Sequence, residues 1–146
     1  MPFFRPRGIA VVGASQNPAK LGYGVASNLI RSGYQGAIHL VNPRGGFVQG
    51  RPLYPSVAAV PDPVDLAVLI VPAEATPQTL EACGQRGIRA AVVLSGGFRE
   101  VGPDGARLEA ECVRIAREHR IRLLGPNCVG VIDTHLPMDT TFLSAP

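Results

Sequence analysis

The sequence predicts an α/β domain of the Rossmann-like, doubly wound kind, with a mainly parallel sheet of five or six strands. Three observations lead there. An apolar, β-branched run, Gly8 to Val12, ends abruptly in the turn Gly13-Ala14-Ser15-Gln16 before a helical pattern opens at Gly24. A second run, Asp65 to Val71, is continuously apolar after its first residue rather than alternating. That is how a parallel strand covered on both faces reads. Apolar runs then alternate with amphipathic stretches to about Leu124, and such alternation implies right-handed crossovers.

The elements follow in order. Gly8 to Val12 is the first strand. The helix after it carries Val25, Leu29 and Ile30 on one face, with Gly33 as its C′ residue. Ala37 to Val41 is a second strand, stopped by Asn42-Pro43. Phe47 to Gly50 is too short to assign, and Pro52 to Pro55 reads as a proline-rich turn. After the Asp65 run, Thr76 is expected to cap a helix with Pro77 in its first position, ending at Gly87. Ala90 to Leu94 is a strand that ends in Ser95-Gly96-Gly97-Phe98. Asp104 to His119 is a helix with Leu108, Cys112, Ile115 and Ala116 on one stripe. Ile121 to Leu124 is the last clear strand, and Val129 to Asp133 adds a short extended piece. Residues 1–133 form the expected domain, and 134–146 a linker or domain edge.

Composition narrows the function. A chain of 146 residues is one domain with room for a sizeable core. The net charge of +3 is spread without a basic run, and tryptophan is absent, so a nucleic-acid partner is not expected. No apolar stretch approaches a membrane span, and no signal-peptide pattern follows Met1 to Gly8. Cys83, Cys112 and Cys128 lack metal spacing and fit reduced thiols. A cytoplasmic protein is expected.

In a doubly wound fold ligands bind where the strands' carboxyl ends meet. That edge should carry Gly13 to Gln16, Asn42-Pro43-Arg44, Val71-Pro72-Ala73, Leu94-Ser95-Gly96 and Asn127-Cys128. The glycine turn before a helix suits a phosphate or pyrophosphate, although Gly-x-Gly-x-x-Gly does not occur. An NAD site usually places an acid after the second strand to hold the ribose hydroxyls. Here Arg44 stands there, so a phosphate on the adenosine ribose is the better match. NADP and coenzyme A both carry one. No catalytic residue is nominated: His39, His119 and His135 have no telling partners, and Glu74 and Glu100 read as surface carboxylates.

The pieces Val12-Gly13-Ala14-Ser15, Val41-Asn42-Pro43, Val71-Pro72-Ala73, Ser95-Gly96-Gly97-Phe98 and Gly125-Pro126-Asn127-Cys128-Val129-Gly130, in this order, are familiar. The chain resembles the coenzyme A-binding domain of the nucleoside-diphosphate-forming acyl-CoA synthetases, related to the α subunit of succinyl-CoA synthetase. The resemblance implies that Gly13 to Gln16 hold the coenzyme A phosphates and that Arg44 approaches the adenosine end. It implies that Pro72 and Ala73 line the cleft, that Leu94 to Gly96 follow the pantetheine arm, and that Asn127 and Cys128 lie near the reactive end. The family's phosphohistidine and ATP-grasp domains are separate, so they are expected as partners in cis or in trans. The isolated chain is then expected to bind coenzyme A or acyl-CoA without turnover. The alternatives are a stand-alone coenzyme A-binding regulatory protein and an NADP-dependent oxidoreductase domain.

Overall fold

The computed structural model describes residues 2–144. Its strands are β1 (Gly8–Val12), β2 (Ala37–Val41), β3 (Phe47–Val48), β4 (Arg51–Tyr54), β5 (Leu66–Leu69), β6 (Ala90–Val93), β7 (Arg122–Leu124), β8 (Ile132–Asp133) and β9 (Met138–Asp139). The helices are α1 (Leu21–Arg31), α2 (Thr76–Gln85) and α3 (Pro103–Glu118). Seven strands form one sheet in the order β3-β4-β2-β1-β5-β6-β7, and β8 pairs with β9 separately. Every neighbouring pair in the large sheet is parallel except β3 with β4.

The sheet is wider than the expected five or six strands. The excess is the β3–β4 hairpin, where Phe47 faces Pro52 and Val48 faces Arg51. Gln49 and Gly50 both take positive φ, 49° and 78°, which is what a two-residue turn between twisted strands requires. The stretch expected as a proline-rich turn is therefore strand β4, lying parallel to β2 through Leu40–Leu53 and Val41–Tyr54.

Continuous apolar strands are explained by two cores. Ile9 and Val11 of β1 face α1, packing with Val25, Leu29, Val68 and Met138. Ala10 and Val12 face the other way, with Leu69, Leu80 of α2 and Ile115 of α3. All five β1 residues are buried. Gly33 (φ 84°) and Gly87 (φ 82°) close α1 and α2 in the left-handed region, as their spacing predicts. Thr76 is not the cap expected of it. It is the first residue of α2, and its hydroxyl donates to the carbonyl of Pro72.

Of the stretch where the sequence pattern fades, residues 138–143 lie against α1. Met138, Thr140 and Thr141 are buried. The Asn28 side chain, on α1, donates from Nδ2 to the carbonyls of Thr141 and Leu143, at 2.8 Å each. No helix among the described residues is long and apolar enough to cross a membrane.

At the edge opposite the strand ends, Arg7 grips Asp65. Its backbone N–H and Nε donate to Oδ2 at 2.8 and 2.9 Å, and Nη2 to Oδ1 at 2.8 Å. The Arg7 side-chain bonds hold the Asp65 carboxyl below its ordinary value of 3.8, against an opposing cost of burial. A carboxylate with a depressed folded pKa contributes stability above its unfolded value and loses it as pH falls through the folded one. Asp65→Asn should therefore lower the melting temperature at neutral pH, with the gap to wild type closing below pH 3.8. Thermal unfolding across that range checks it; a gap unchanged in acid would assign the effect to packing instead of charge.

Candidate functional site

Because the long strands are parallel, their carboxyl ends share one edge, and the loops after β1, β2, β5, β6 and β7 meet there. Gly13 makes the first turn with φ 99°. A Cβ on Gly13 would lie 2.1 Å from the carbonyl oxygen of Ile70, and one on Gly22 would lie 1.9 Å from that of Gly13. Both glycines are thus required by close backbone approach, which seats the first turn of α1 directly against the β1 turn. Helix α1 carries no acid in its first turn, and its N-cap residue, Lys20, makes no side-chain cap. Its N-terminal N–H groups and the aligned dipole favour an anion. Among the described residues the backbone N–H groups of Ala14, Ser15 and Gln16 have no hydrogen-bond acceptor, and neither do those of Ser95 and Gly96.

The β1 and β2 loops are locked together. Asn42 Nδ2 donates to the carbonyl of Ala14 at 2.8 Å, while Asn42 Oδ1 accepts the N–H of Arg44 at 2.9 Å. Gln16 Nε2 reaches the carbonyl of Gly45 at 3.5 Å, and its Oε1 accepts the N–H of Phe47 at 3.4 Å. The side chains of Asn42 and Gln16 therefore brace the loop that carries Arg44. Pro43 and Arg44 are exposed on that loop.

The other half of the edge is a hollow of about 270 Å³. The expected residues Leu94, Ser95, Gly96, Asn127 and Cys128 line it. Leu21, Ile70, Val129 and Phe142 complete its apolar wall, and the sequence reading did not nominate them for the site. Leu21 and Phe142 lie at opposite ends of the chain, and no motif signals that they meet. Ser95 Oγ donates to the carbonyl of Val71, and the N–H of Asn127 donates to the carbonyl of Ser95 at 2.9 Å. The β5, β6 and β7 loops are so joined in series. Pro72 is exposed and Ala73 is buried, 3.2 Å from where a Cβ on Gly97 would stand.

Cys128 Sγ donates to the carbonyl of Val93 at 3.4 Å, and burial raises its pKa. A thiol so placed is mostly protonated at neutral pH and a weak nucleophile. The histidines serve elsewhere: His39 Nε2 meets the carbonyl of Pro63 at 2.9 Å, His119 Nε2 meets Glu81 Oε1 at 2.8 Å, and His135 is exposed. No group of three metal-ligating side chains occurs among the described residues. A larger hollow, about 770 Å³, lies on the flank between α3 and β7. It is lined by Arg99, Arg114 and Arg117 with Glu109 and Glu118, and Arg99 pairs with Glu109 at 3.0 Å and Arg114 with Glu118 at 2.8 Å, so most of its charge is satisfied within its own wall.

The CoA binding domain family matches residues 7–134. The α subunit of acetate–CoA ligase [ADP-forming] I from Pyrococcus furiosus is 45% identical over 95% of this chain and 31% of its own length. Its counterpart in ligase II of that organism is 47% identical over 97% of this chain, again 31% of its own length. The chain thus spans about a third of these curated relatives. Among solved structures, a Ca. Korarchaeum cryptofilum dinucleotide forming acetyl-coenzyme A synthetase 1, in complex with phosphate and ADP, superposes with a TM-score of 0.92 at 40% identity. That match covers 97% of this chain and 30% of the other. These likenesses do not favour the NADP-dependent or stand-alone alternatives. With this Rossmann-like sheet and this loop edge, the chain belongs to the CoA binding domain family, and coenzyme A is its ligand.

Proposed function

We propose that this chain is the coenzyme A-binding part of an ADP-forming acid–CoA ligase and that the ligand lies along the strand carboxyl edge. The observation that carries this reading is the pairing of unpaired loop amides beside α1 with an apolar hollow at the other end of the same edge. The two halves suit the two ends of the ligand. Its diphosphate needs N–H donors and a helix N-terminus, which Gly13 to Gln16 offer. Its ribose phosphate needs a cation, which Arg44 offers on a braced loop. Its pantetheine arm needs a mostly apolar groove with a few polar groups for orientation, which Leu94, Ser95, Gly96, Asn127 and Cys128 offer. Pro72 and Ala73 stand between the two halves. Bound coenzyme A supplies the thiol that takes the acyl group; this chain's residues hold and orient it.

The complete reaction joins an acid to coenzyme A at the expense of a nucleoside triphosphate, or runs in reverse. Phosphoryl transfer and nucleotide binding belong to further synthetase domains, phosphohistidine and ATP-grasp, acting in cis or in trans. Support comes from the relatives, which are about three times as long as the matched region. The cytoplasm is the proposed compartment, supported by the three free cysteines.

Calorimetric titration of the purified chain with coenzyme A, NADPH and NAD tests the ligand. Saturable heat is expected with coenzyme A alone. Binding of NADPH with none of coenzyme A would reverse the reading.

A further inference from the structure

We propose that Glu100 is a positioning residue of the cleft, its carboxylate holding the Ser95–Phe98 loop in the shape the ligand's arm meets. The inference rests on the coenzyme A reading above.

Glu100 lies in the short 3-10 turn Arg99–Val101, just after the loop. Its side chain turns back, and Oε1 accepts the N–H of Gly97 and the N–H of Phe98, the latter at 3.1 Å. The loop is secured at its two ends by other means. Ser95 is bonded to the neighbouring loops on both sides, and Phe98 is buried in the core shared with α2 and α3. Between them stand Gly96 and Gly97, the second at φ 97°, with no side chains to hold them. The Glu100 carboxylate occupies that gap. It would lie 3.2 Å from a Cβ on Gly96, and Asn127 Oδ1 would lie 3.4 Å from the same point. The exposed lip of the hollow is thus set between one carboxylate and one carboxamide. Arg99, the adjacent cation, pairs with Glu109 of α3 at 3.0 Å and leaves Glu100 to the amides. Consistent with this, the backbone N–H groups of Glu100, Gly97 and Phe98 hold its carboxyl below its ordinary value.

Gln keeps an acceptor oxygen at the same reach, and Ala removes it. In the ligand-free full chain, Glu100→Ala should speed hydrogen exchange at the Gly97 and Phe98 amides about tenfold, the scale of a lost charge-assisted bond. Coenzyme A affinity, read by calorimetry, should fall about tenfold in Glu100→Ala and return to within about threefold of wild type in Glu100→Gln. Unchanged affinity in the Ala variant, or equal loss in both variants, overturns the proposal. Should wild type itself not bind coenzyme A, the ligand reading fails while the exchange arm still decides the hold on the loop: unaltered exchange overturns it.

Discussion

Gly13→Ala should cost about 2–6 kcal/mol of folding stability, a large part of what a domain of this size possesses. Two penalties add at this position. The backbone sits at φ 99°, where a side chain carries strain of about 1–3 kcal/mol. The new Cβ would also stand 2.1 Å from the carbonyl oxygen of Ile70, a backbone atom that cannot rotate away. Overpacking of that kind costs about 1–3 kcal/mol more. Two companion variants separate the terms. Gly45 has φ 66° and open space around its missing Cβ, so Gly45→Ala reports strain alone, about 1 kcal/mol. Gly22→Ala has the overlap without the strain. Helix propensity alone would make it stabilising by about 1 kcal/mol, but its Cβ would lie 1.9 Å from the Gly13 carbonyl, so a net loss is expected. Urea midpoints with constant m-values measure all three. Gly13→Ala and Gly45→Ala within about 1 kcal/mol of each other would remove close approach as the reason for glycine.

What the residues disclose before folding depends on whether the signal is local. β1, β5 and β6 are readable because burial on both faces demands unbroken apolar runs. The β3–β4 hairpin is not, since its strands are short, one contains Pro52, and its turn sets Gln49 at a φ usually reserved for glycine, asparagine or aspartate. The tail is unreadable for another reason. Thr140 and Thr141 are buried through polar bonds, Thr140 Oγ1 to the carbonyl of Val131 and Asn28 to the carbonyl of Thr141, and hydrophobic periodicity is blind to these.

The candidate edge divides in the same way. That five loops share one rim follows from parallel strands and can be read from the chain alone. That Gln16 and Asn42 brace the Arg44 loop cannot, because their partners Gly45, Phe47 and Ala14 are known only once the sheet order is. Nor does any pattern announce that Glu100 folds back onto Gly97 and Phe98. Asn42, Gln16 and Glu100 each brace a loop of the rim, and beside them stand backbone amides, small apolar surfaces and the Arg44 guanidinium.

That guanidinium gives the sharpest test of ligand orientation. Arg44 is exposed, and none of the ion pairs among the described residues includes it. Its loop needs no help from its side chain, since Asn42 and Gln16 supply the bracing. Arg44→Ala should therefore leave the melting temperature unchanged while weakening coenzyme A by about 1.5–3 kcal/mol, the scale of a hydrogen bond to a charged group. That is roughly a 10- to 150-fold rise in Kd. The loss should shrink as salt is raised, because an exposed pair is screened. Dephospho-coenzyme A, which lacks the ribose phosphate, should bind wild type and variant nearly alike. An equal loss with both ligands would place Arg44 on the diphosphate instead and reverse the orientation proposed for that end of the cleft.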